Sequence, residues 1–180
     1  MTVKDFIKSK TFKCIIVLLC IALVSGALLS ILNDLLKVSD EERVLRTIKG
    51  IYGTEIGYEE ISAQYETDEG TIVNCYLLED GNYLIKSKGF DGYQKGTISV
   101  WLVAEFNDGQ FAKIGSVSVA EYEKQTLMSK FTNSVLNAYE GSVAEGEDKN
   151  VVVGGATFSA KAMNNAVNCA IDYIYSTLVA

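Results

Sequence analysis

The residues best equipped for chemistry lie in the run Val151-Val152-Val153-Gly154-Gly155-Ala156-Thr157-Phe158-Ser159. Two consecutive glycines permit a tight turn and a close approach of another group to the backbone. Thr157 presents a hydroxyl, and Ser159 stands where it would cap the helix that the following residues predict. Free N–H groups at the start of that helix, together with the positive end of its dipole, suit an anion, and phosphate is the anion such a place fits. A glycine turn leading into a capped helix is also a routine connection, so the pattern by itself admits a purely structural reading.

Other chemistry is limited by composition. The chain has no histidine, which removes the imidazole of a serine-type triad, of a typical zinc site and of haem ligation. Cys75 and Cys169 match no metal or redox spacing and read as two buried thiols rather than a disulfide. Lys4, Lys8, Lys10 and Lys13 against Asp5 make the first 13 residues +3, so the total of −7 leaves −10 for residues 14–180. So acidic a surface repels nucleic-acid phosphate and anionic lipid. Neither a nucleic-acid partner nor peripheral membrane binding is expected.

The elements that would position the turn begin with an anchor. Cys14 to Leu32 is a run of 19 residues without a charge, and at about 1.5 Å per residue it covers about 30 Å, the hydrocarbon thickness of a bilayer. Four lysines precede it, and Asp34, Asp40, Glu41 and Glu42 follow it. The positive-inside rule then puts residues 1–13 in the cytoplasm, residues 14–36 in the membrane and residues 37–180 outside as one domain. A cleaved signal peptide is the competing reading, with Ser25-Gly26-Ala27 as its cleavage site, but the apolar run continues through Leu28, Leu29, Ile31 and Leu32. Leu19 is too bulky to make Cys20 a lipidation site.

Ser39 and Glu42 form a capping-box pattern ahead of Val44, Ile48 and Ile51, which predicts a helix over 40–52. Residues 71–78 and 83–87 flank Asp80-Gly81, and residues 97–106 and 111–119 flank Asp108-Gly109, two hairpin signals. Ile98, Val100, Leu102, Ala104 and Phe106 alternate onto one face, expected to be the core face. Leu127, Phe131 and Val135 suggest a helix ending before Gly141, and residues 140–150 form a polar loop. Met163, Val167, Ala170, Ile171, Ile174 and Leu178 make one stripe at helical spacing. The fold class is therefore α+β: an antiparallel sheet with flanking helices, preceded by one N-terminal transmembrane helix.

Gly154-Gly155-Ala156-Thr157 resembles the Ser/Thr-Gly-Ala-Thr flavinylation motif of the FMN-binding domain family, found in the G subunit of Rnf and the C subunit of Nqr complexes. Gly92-Tyr93 followed by Gly96-Thr97-Ile98, the Asn107-Asp108-Gly109 turn, and Ser159, Ala162, Asn165, Ala166 and Val167 are also similar to that family, as is the single N-terminal helix. The chain departs from it at Val151 and Gly154, where the family has Asp and Ser or Thr, and at Gln125-Thr126-Leu127-Met128, where a Pro-Gly is lost.

The resemblance implies FMN joined through phosphate to Thr157 by a flavin transferase. Gly154, Gly155 and Ala156 would form the attachment turn, and the amides near Phe158, Ser159 and Ala160 would face the phosphate. Tyr93, Trp101, Thr126 and Leu127 would be candidates to flank the ring. It further implies an electron-transfer subunit without turnover of its own, held among the other membrane subunits of an Rnf-type complex. A standalone flavinylated carrier and a non-redox, pilin-like anchored module are the alternatives, and the latter lacks the glutamate that pilins carry near the start of the apolar segment.

Overall fold

The apolar run lies within helix α1 (Lys10–Leu36). In this computed structural model the described residues are 10–36 and 39–179. Residues 1–9 of the expected N-terminal segment, and residues 37–38 and 180 at the two ends of the expected outer domain, lie outside them. Cys14–Leu32 is long and apolar enough to cross a membrane, and its large apolar side chains, from Ile15 to Leu32, are exposed. A helix that is apolar all round and covered by nothing suits lipid as its solvent.

The chain divides into two units after Val44, partway along α2 (Asp40–Tyr52). The expected cap is present: Ser39 Oγ accepts the Glu42 N–H at 3.2 Å and the Ser39 carbonyl accepts the Arg43 N–H at 3.1 Å. The helix stops at Gly53, whose φ of 74° continues no right-handed helix.

The second unit is built on a five-stranded antiparallel sheet in sequential order, β1 (Tyr58–Ile61), β2 (Gly70–Leu78), β3 (Tyr83–Gly89), β4 (Ile98–Asn107) and β5 (Gln110–Tyr122). Both Asp-Gly turns are hairpins. Asp108 and Gly109 have φ of 51° and 78°, the doubly left-handed geometry that matches strand twist. One face of β4 presents Ile98, Val100, Leu102 and Ala104 to the core, with Phe106 half-buried beside them. The other face is covered too, since Tyr76, Leu84, Trp101 and Val103 are buried.

Helix α4 (Thr157–Tyr173), continued by a wide turn over Ile174–Leu178, supplies the opposing layer. Its stripe of Met163, Val167, Ala170, Ile171 and Ile174 is buried in the same cluster as the core face of β4. Contact with the sheet is closest at Gly89, where an added Cβ would come within 2.0 Å of the Ala162 carbonyl oxygen and 2.4 Å of the Ala166 nitrogen. Beside it, Ser87 Oγ donates to the Ala166 carbonyl.

The helix expected from Leu127 through Val135 does not form as one piece. A 3-10 turn over Met128–Lys130, the short helix α3 (Asn133–Leu136) and a second 3-10 turn over Asn137–Tyr139 replace it. The break falls at Phe131 (φ −84°, ψ 67°) and Thr132 (φ −72°, ψ 166°). Phe131 is buried in the core by this bend, and burial of a large aromatic outweighs one continued helical turn.

Candidate functional site

Helix α4 begins at Thr157, with Ala156 as its N-cap and no side chain capping it. Its first intrahelical bond runs from the Ala160 N–H to the Ala156 carbonyl at 2.8 Å. The amides of Thr157, Phe158 and Ser159 therefore precede the hydrogen-bonded ladder and have no intrahelical acceptor. Ala160, expected to offer its amide to an anion, uses it inside the helix.

Ser159 is not the cap that its position suggested. It lies in the first turn, and its hydroxyl donates to Gln125 Oε1 at 2.7 Å in a buried contact. Ahead of the helix, Gly155 takes φ +74°, and the Ala156 N–H closes the turn on the Val153 carbonyl at 3.0 Å. The Lys130 ammonium donates to the Gly154 carbonyl at 2.6 Å and lies 2.5 Å from where a Cβ on Gly155 would fall. One cation thus stands at the turn of an otherwise acidic domain.

A cavity of about 310 Å³ opens beside Thr157, walled by Gly155, Ala156, Thr157, Phe158 and Ser159 on one side and by Tyr93, Thr126 and Leu127 on the other. Three segments distant in sequence meet there. The Tyr93 and Phe158 rings stand 6.4 Å apart, and both are substantially exposed, Phe158 at 62 %. Thr157 is also exposed, so its hydroxyl is open to another protein. A second cleft of about 390 Å³ shares Thr157 and runs along Lys161 and Asn164.

Gly154 is exposed in the turn itself and does not line the cavity; its carbonyl accepts from Lys130. Trp101 points to the opposite face of β4 from the helix, where its ring is 6.2 Å from that of Tyr76 and the Lys86 ammonium is 5.5 Å from its centre. Alternation along the strand requires this once Val100 and Leu102 face α4.

Gln125, Lys130 and Asn164 stand at the site; Gln125 opens the Gln125-Thr126-Leu127-Met128 segment already compared with the family, while Lys130 and Asn164 fall in no motif of the sequence. Asn164 Oδ1 accepts the Tyr139 hydroxyl at 2.6 Å and the Val151 N–H at 3.1 Å, while its amide donates to the Val151 carbonyl at 3.3 Å. It thereby fixes the segment entering the glycine turn. The one available signal is that Asn164 and Asn168 lie four apart on α4, off the apolar stripe.

Among the described residues no three Cys, Asp or Glu side chains are grouped to hold a metal. Cys75 and Cys169 are free and buried, and burial pushes each thiol up to about 11. Since the unfolded thiols ionise near their ordinary value and the folded ones do not, domain stability is expected to fall as pH rises from about 9 to about 11. Both thiols should resist alkylation at pH 8 in the folded full-length chain and react on denaturation. Peptide mass mapping showing prompt labelling of Cys75 would refute their burial.

No protein-family model, curated protein or solved structure matches the chain.

Proposed function

We propose that this chain carries FMN esterified through its phosphate to Thr157 Oγ1 and works as an electron-transfer subunit of an Rnf-type membrane complex. The observation that carries the reading is the cavity beside the exposed Thr157 hydroxyl, in which Tyr93, Thr126 and Leu127 converge on Gly155–Ser159.

The residues fit the group. Three unpartnered helix amides and the Lys130 ammonium suit the single charge that a phosphodiester retains. At about 310 Å³ the cavity lies at the small end of the ~300–1,000 Å³ usual for small-molecule sites, which suits a ring held between Tyr93, Leu127 and Phe158 with one edge in solvent. The departure at Gly154 leaves the turn intact, since only its backbone carbonyl is used and a Cβ there would meet nothing within 4 Å.

When bound, FMN supplies the redox chemistry. The chain's part is attachment and placement. Thr157 Oγ1 would lose its proton as its bond to phosphorus formed, the phosphoanhydride bond of an activated flavin nucleotide breaking as its leaving group departed. Lys130 and the helix amides would hold the phosphate, and Tyr93 and Phe158 would border the ring.

In this reading the chain passes electrons between partner-held cofactors and has no turnover of its own. The apolar helix α1 keeps it at the bilayer, and its acidic surface favours a complementary docking face on other subunits. A standalone flavinylated carrier would have the same site, and co-purifying subunits separate the two.

Intact mass of the protein made together with the transferase tests the reading: one covalent FMN per chain is expected, and the bare polypeptide alone refutes it. The lysine asymmetry around the anchor further predicts that residues 33–180 lie outside the cytoplasm. Protease added to intact, wall-stripped cells should digest them, and digestion only after lysis would reverse the topology.

A further inference from the structure

Gln125 is buried although amide side chains usually face water, and two of its three bonds reach the walls of the Thr157 cavity, at Tyr93 and Ser159. Its Oε1 accepts the Tyr93 N–H at 3.2 Å and the Ser159 hydroxyl at 2.7 Å, and its Nε2 donates to the Glu123 carbonyl at 2.9 Å. One side chain thereby joins the loop carrying Tyr93, the first turn of α4 and the segment leading to Thr126 and Leu127. These are the three parts of the cavity wall.

The loop it holds does not rest at low energy. Among the described residues five non-glycine positions have positive φ, and three of them, Asp91, Gln94 and Lys95, lie here at 63°, 50° and 57°. Such conformations persist only where surrounding contacts over-determine them. The two glycines of the loop are set by the same side chain: a Cβ on Gly92 would lie 2.5 Å from Gln125 Nε2, and one on Gly96 would lie 2.6 Å from that atom and 2.1 Å from the Glu123 carbonyl oxygen. The spacing of Gly92 and Gly96 is thus the imprint of the loop closing over Gln125.

We infer that Gln125 is the positioning residue of the cofactor cavity, clamping the strained 91–96 loop so that Tyr93 is held against Phe158 beside Thr157. This deepens the FMN reading and rests on it for the identity of the ligand. The clamp itself is a property of the apoprotein.

The experiment uses the full-length chain with Gln125→Leu, which keeps the bulk and removes all three bonds, and Gln125→Glu, which keeps the acceptor oxygen. In apoprotein, amide exchange at Tyr93 is expected to accelerate on the order of tenfold in the leucine variant and to stay within about threefold in the glutamate variant, with β4 amides unchanged. Should the leucine variant unfold, Ser159→Ala, which frees one side of the clamp, is expected to raise Tyr93 exchange about threefold.

In protein made with the transferase, the leucine variant should show several-fold less attached FMN and an altered visible circular dichroism of what remains. Unchanged Tyr93 exchange in a folded variant overturns the clamp. Faster exchange with unchanged flavin yield and dichroism overturns its role toward the cofactor. A wild type that takes no FMN overturns the proposed function, and Tyr93 exchange in the apoprotein then decides the clamp alone.

Discussion

Thr157→Ala is expected to eliminate covalent flavin entirely while leaving the domain folded. The removed group is an exposed hydroxyl at the first residue of α4, and alanine is at least as good a helix former there, by roughly 0.5 kcal/mol. No core contact is lost, so thermal unfolding should stay within a degree or two of the wild type. Flavin attachment, by contrast, has no other nucleophile in that turn, because Ser159 is buried and bonded to Gln125.

The measurement is intact mass together with flavin fluorescence on a denaturing gel, followed by electron flow through the assembled complex, which should stop. The isolated wild type should be reducible by dithionite and inactive with nicotinamide nucleotides. A fluorescent alanine variant would move the attachment to another residue. A complex that worked normally with that variant, or a soluble fragment that oxidised NADH by itself, would remove the electron-transfer role.

The largest effect on stability is expected at Gly89→Ala. The added methyl carbon meets backbone atoms of α4, the Ala162 carbonyl oxygen at 2.0 Å and the Ala166 nitrogen at 2.4 Å, and no rotamer change can relieve a contact with main chain. Helix and sheet must move apart, which opens the layer that buries Met163, Val167 and Ala170. Overpacking of this kind costs about 3 kcal/mol or more, a fall in Tm of about 10 °C for a domain of this size. Gly154→Ala is the matched control, since its Cβ meets nothing within 4 Å. A Gly89→Ala protein melting with the wild type would show that α4 does not lie on β3 in this way.

The Gly89 contact illustrates what was legible in the sequence and what was not. Elements with a strong local period could be read: the Asp-Gly hairpins, the alternation of Ile98, Val100, Leu102 and Ala104, the α4 stripe, and the apolar run of α1. That a glycine turn bearing Thr157 leads into a helix could be read as well, although the helix begins at Thr157 and not after Ser159. The continuous helix expected through Phe131 could not survive, because its spacing of four was satisfied more favourably by turning Phe131 into the core.

Trp101 was expected beside a ring only through the family resemblance. The strand's own alternation sends it away from α4 once the core face is known.

The sequence by itself determined the elements with a strong local signal, since hydrophobic periodicity, turn residues and caps act over a few residues and need no partner; strand β1 and the broken 128–139 segment were not among them. Only the tertiary structure decided which of them form the site. Tyr93 meets Gln125 across 32 positions, Lys130 reaches Gly154 across 24 and Ser159 meets Gln125 across 34. Gln125, Lys130 and Asn164 have no periodicity of their own. Their partners are backbone groups and hydroxyls that any segment could offer, and the choice among those is made by how α4 settles on the sheet.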